Sequence, residues 1–97
     1  NVFVIRDGRL ETPPIGDGAL PGTMRALVLS MAKQAGLAPV EISLEVSGLA
    51  GADHVFLTNS ISRLTEAEQC NGAPLQRRAG GALDRLRTLV ATHFDMA

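Results

Sequence analysis

Asp7-Gly8 sits between two short runs, Val2 to Ile5 and Arg9 to Thr12, and constrains the fold more than any other feature of the chain. A two-residue hairpin loop of type I′ needs positive φ at both central residues, and Asp-Gly supplies it at little cost. The spacing therefore predicts a β-hairpin at the start. Pro13 and Pro14 come next and have no N–H for a ladder, so the second strand should stop there. The Gly-rich stretch from Ile15 to Gly22 is expected to be a loop with room to approach a ligand.

From Thr23 the period changes. Met24, Leu27, Val28, Met31 and Ala35 recur at helical spacing, with Ser30, Lys33 and Gln34 on the opposite face, which predicts an amphipathic helix. Thr23 is the expected N-cap, and Gly36 the expected left-handed residue after the last turn. Val40, Ile42 and Leu44 alternate with Glu41, Ser43 and Glu45, the pattern of a strand with one wet face. A short helix or tight loop should fill Ser47 to Ala52. His54 to Leu57 reads as a buried strand that Thr58-Asn59-Ser60 terminates. Ile61 to Gln76 has no strong period, although Asn71-Gly72 marks a turn between two short strands. From about Arg78 to Phe94 a second amphipathic helix is expected, its buried stripe made by Leu83, Leu86, Val90 and Phe94. This order of strands with two amphipathic helices is an α/β arrangement.

At 97 residues the chain fits one domain, and its 45% hydrophobic and 20% charged residues are ordinary globular values. With no Trp, no Tyr and a formal net charge of -1, it has neither the stacking platform nor the basic patch of a nucleic-acid binder. Arg77-Arg78, its one adjacent basic pair, reads as a solvated helix approach. Cys70 is alone, so no internal disulfide can form, and a reducing cytoplasm is the expected compartment. No run approaches the length of a membrane span, and the opening at Asn1 rather than Met suggests a piece of something longer. His54 and His93 with one cysteine are too few for a zinc set, so no metal is expected.

Two segments stand out chemically. In GALPGTMR, Gly18 to Arg25, a glycine loop runs into a helix; in VFLTNS, Val55 to Ser60, a buried strand ends in hydroxyl and amide groups. The first N–H groups of a helix have no intrahelical partners and carry partial positive charge, so both segments suit an anion, with Gly22 letting backbone come close. The first segment alone is equally the form of an ordinary turn and cap. Arg25 could pair with an acid in the fold or orient a substrate carboxylate. Asp53 and His54 are neighbours in a strand and point to opposite faces, which argues against a catalytic dyad.

Taken together, NVFVIRDGRLETPPIGDGALPGTMRALVLSMA, PVEISLEV and ADHVFLTNS resemble the C-terminal half of the class IV aminotransferases, which are fold type IV pyridoxal-phosphate enzymes. The resemblance spans Asn1 to Ser60. It implies that Thr23 and Met24 offer backbone N–H groups to the phosphate of pyridoxal 5'-phosphate, with Gly22 in the same cofactor-binding block, and that Asn59 and Ser60 complete the cup. Met24 falls where many aminotransferases have a Thr whose hydroxyl also binds phosphate. With the later Asn, it looks more like the 4-amino-4-deoxychorismate lyases than the branched-chain or D-amino acid aminotransferases. After Ser60 the chain reads ISRLTEAEQCNGAP where the family usually has a Pro-Val pair, which leaves the substrate open.

The cofactor's chemistry needs a Schiff-base lysine and a carboxylate at the pyridine nitrogen, and in the family both lie upstream of the Asn1 position. Lys33, the single lysine, is placed on the polar helix face well past the phosphate end. The chain alone is thus expected to be inactive. The resemblance implies that residues 1–97 are the C-terminal cofactor-binding domain of a homodimeric enzyme with a small-molecule substrate, and no nucleic-acid or membrane partner is expected. A non-catalytic phosphate-binding or assembly module is the alternative from another class.

Overall fold

The computed structural model describes residues 1–17, 22–59, 63–67, 69–70, 73–74 and 81–95. Strand β1 (Val2–Arg6) turns through Asp7 (φ 50°) and Gly8 (φ 77°) into β2 (Arg9–Thr12), with Ile5 opposite Leu10. Both turn residues have the positive φ that a type I′ turn needs. Helix α1 (Thr23–Met31) follows, then a 3-10 turn (Lys33–Ala35) closed by Gly36 at φ 82°. Strand β3 (Ala38–Glu41) pairs parallel with β2, and a 3-10 segment (Val46–Gly51) leads into β4 (His54–Asn59), antiparallel to β1. Strand β5 (Arg63–Glu66) pairs with β4, β6 (Gln69–Cys70) pairs with β7 (Ala73–Pro74), and α2 (Ala82–Asp95) ends the described chain. The main sheet has five strands in the order β3-β2-β1-β4-β5.

Strand alternation puts Phe3, Ile5, Leu10 and Phe56 on one face, where they pack with Met24, Val28 and Ala32 of the α1 region and with Leu83, Leu86 and Val90 of α2. The fully buried Phe3 and Phe56 rings stack at 5.2 Å between centroids. On the other face Val4 and Val55 pack with Ala52, and Leu44 and Leu49 cover them. Arg6 fixes that cover: its Nη2 donates to the Gly48 carbonyl at 2.7 Å, while its Nε pairs with Glu11 at 3.3 Å. Among the described residues no helix is long and apolar enough to cross a membrane.

Three local expectations change. The N-cap of α1 is Gly22, not Thr23, and no side chain caps the helix. The strand expected through Glu45 stops at Glu41, and Ile42 is 47% exposed. The Ile42 N–H still donates to the Thr12 carbonyl at 2.9 Å, but Pro13 and Pro14 offer no N–H to carry the ladder further. Phe94 is 40% exposed instead of buried, held under the Arg63 guanidinium at 4.4 Å and edge-on to His93. The expected turn at Asn71-Gly72 and the expected helix start near Arg78 lie outside the described residues.

Candidate functional site

The carboxyl ends of β2, β3 and β4 point the same way, because all three run antiparallel to β1 or parallel to one that does. The loop leaving β2 delivers α1, so the amino end of that helix returns to this edge of the sheet.

Asn1 joins the two segments there. Its carbonyl accepts the Thr58 N–H at 2.9 Å and the Thr58 hydroxyl at 3.4 Å. Its amide nitrogen lies against Gly22, 3.8 Å from where a Cβ on that glycine would sit. The start of α1 and the end of β4 are therefore neighbours across one residue. Gly22, Thr23 and Asn59 are exposed at this edge, whereas Met24, Arg25 and Thr58 are buried. Ser60, the fifth expected contact, lies outside the described residues.

The donors here suit a phosphate. The first intrahelical bond runs from the Ala26 N–H to the Gly22 carbonyl at 3.1 Å, so helix geometry leaves the Thr23, Met24 and Arg25 N–H groups facing outward at the positive end of the dipole. Gly22 has φ -137°, open to any residue, and among the described residues an added Cβ would meet the Asn1 amide alone, at ordinary contact distance. Neither the backbone nor packing among the described residues requires glycine, and the missing side chain takes up no space beside those amides. The Arg25 Nε, in the same turn, is a buried nitrogen without a hydrogen-bond partner.

Elsewhere the candidates resolve as structure. Arg25 pairs with Glu41 at 3.1 Å and donates to the Pro13 carbonyl at 3.2 Å, the ion-pair alternative of the two read from sequence. His54 is buried, with Nδ1 2.6 Å from Glu66 Oε2. Nothing in the sequence marked that pair, since Glu66 lies on β5, which had no legible period. Lys33 is exposed in the turn after α1, about 15 Å along the axis from the helix start for ten residues at the helical rise. It does not belong to this edge. Among the described residues, no group of three or more His, Cys, Asp or Glu could hold a metal ion.

Residues 1–70 match the model of the amino-transferase class IV family. A branched-chain-amino-acid aminotransferase of Escherichia coli K12 is 32% identical over 88 residues, which are 90% of this chain and 28% of that protein. A Legionella pneumophila protein assigned as a 4-amino-4-deoxychorismate lyase superimposes with a TM-score of 0.86 at 33% identity, over 95% of this chain and 34% of that one. An aminotransferase from Brucella abortus bound to PLP superimposes with a TM-score of 0.81 at 27% identity, over 95% of this chain and 32% of that one. The chain thus spans about a third of the length of the proteins it matches. By family match, sequence identity and fold, the chain belongs to the class IV aminotransferases, with the mixed sheet and flanking helices of their fold type IV architecture.

Proposed function

We propose that residues 1–97 are the C-terminal cofactor-binding domain of a pyridoxal-phosphate-dependent enzyme, with Gly22, Thr23, Met24, Asn59 and Ser60 forming the phosphate cup. The meeting of the uncapped start of α1 with the end of β4 across Asn1 carries this reading. The cofactor, when bound, supplies an electron sink for the carbon bearing the amino group. This chain's own part is to bind and orient. The Thr23 and Met24 N–H groups hold the phosphate, Gly22 leaves it room, and Asn59 and Ser60 close the other side. Peptide donors fixed in a helix need no reorganisation when the anion arrives.

For the intact enzyme the reaction proposed is conversion of 4-amino-4-deoxychorismate to 4-aminobenzoate and pyruvate, in a cytoplasmic homodimer whose remaining residues supply the lysine and the carboxylate. The Met at position 24 and the likeness to the Legionella protein support it. A second reading, a branched-chain aminotransferase, has the support of the Escherichia coli relative. Full-length protein given 4-amino-4-deoxychorismate should release 4-aminobenzoate without a keto-acid acceptor. Amino transfer from a branched-chain amino acid to a 2-oxo acid, with no 4-aminobenzoate formed, would favour the second reading. Neither activity, with phosphate-dependent binding retained, would leave a non-catalytic binding module.

A further inference from the structure

Arg25 holds the third position of α1 and is only 6% exposed. Its Nη2 donates to the carbonyl of Pro13, the residue after β2, at 3.2 Å and to Glu41 Oε1, on the last residue of β3, at 3.1 Å. One guanidinium thereby ties the first turn of α1 to the carboxyl ends of two adjacent parallel strands. The arrangement is unfavourable in one respect, because the Arg25 Nε is buried without a partner. Nor is the ion pair a strong source of stability, since the Glu41 side chain is 53% exposed. What the contacts do is fix direction: a planar guanidinium reaching two acceptors cannot rotate without losing one.

We propose that Arg25 is a positioning residue, which through Pro13 and Glu41 aims the Thr23 and Met24 N–H groups at the ligand phosphate without touching it. This rests on the cofactor reading above. Both contacts come from the one Nη2, so lysine at this position would keep the charge and enough donors, but its Nζ ends one bond short of that atom on a chain with no planar head to fix its direction. Loss of Glu41 gives opposite signs for two explanations: by charge alone, removing a carboxylate near an anion site strengthens anion binding, whereas losing an orienting contact weakens it.

The test compares full-length protein with Arg25→Lys and Glu41→Ala, measuring affinity for pyridoxal phosphate and for pyridoxal, which lacks the phosphate. Both substitutions should cut the preference for the phosphate-bearing form about 5-fold or more, with pyridoxal affinity changed by less than about 2-fold. Amide exchange at Ala26, whose N–H closes the first helical bond to Gly22, should quicken while that at Phe56 stays constant. A preference that is unchanged or raised in Glu41→Ala, or wild-type behaviour in Arg25→Lys, overturns the proposal. Should Arg25→Lys fail to fold, Glu41→Ala decides by itself because its side chain is half-exposed. Wild-type protein that binds both forms equally would refute the cofactor reading instead, and Ala26 exchange would then judge the clamp: no change in either variant removes it.

Discussion

A side chain at position 22 would make α1 a better helix and a worse anion receptor. Aspartate is favoured at an N-cap and complements the dipole, so Gly22→Asp should raise stability by about 0.3 to 1 kcal/mol in a denaturant titration. The same carboxylate would occupy the space in front of the Thr23 and Met24 amides, and selective binding of pyridoxal phosphate should be lost. Gain of stability with unchanged phosphate binding would mean that the anion sits elsewhere. A second single-residue test concerns the far end of β4. With Glu66 removed, the buried His54 Nδ1 keeps its desolvation and loses its 2.6 Å partner, so Glu66→Ala should cost about 1 to 3 kcal/mol of unfolding free energy.

Along α2 the same residue type of change should have unequal effects. Leu86 is fully buried against the sheet, and Leu86→Ala should cost about 2 to 5 kcal/mol. Phe94 is 40% exposed beneath Arg63, and Phe94→Ala should cost less than about 1.5 kcal/mol, mostly cation–π and partial burial. Equal losses in chemical denaturation would contradict the packing described. The helical period of α2 was legible in the sequence, but where the helix runs past the core was not, because period reports facing and not the extent of the partner. Likewise the Asp7-Gly8 hairpin could be read locally, whereas the end of β3 depends on prolines in a neighbouring strand. Strand β5 left no signal, since Leu64 alone of its side chains is buried.

At the scale of the whole molecule, the two anion-suited segments were legible as separate motifs, and their family resemblance as a set. Their contact through Asn1 was not, because antiparallel pairing of β1 with β4 brings together residues far apart in sequence. Arg25 shows the same limit: its two acceptors lie just after β2 and at the end of β3, with α1 between them in the chain. The position of Lys33 gives a check on the whole arrangement. When the 97-residue chain is mixed with pyridoxal phosphate and reduced with borohydride, Lys33 should remain unmodified at stoichiometric cofactor, as judged by peptide mass. A specific adduct there would place the reactive aldehyde at the wrong end of α1.

The outer rim of β3 has a further consequence. Ala38 and Ile42 donate inward, to Gly8 and Thr12, so by alternation the backbone of residues 39 and 41 faces away from the sheet. Pro39 thus removes a donor where a foreign strand would have to attach, and Glu41 adds a charge beside it. Pro39→Val should open that rim of the 97-residue chain to self-association, visible as a concentration-dependent rise in solution mass.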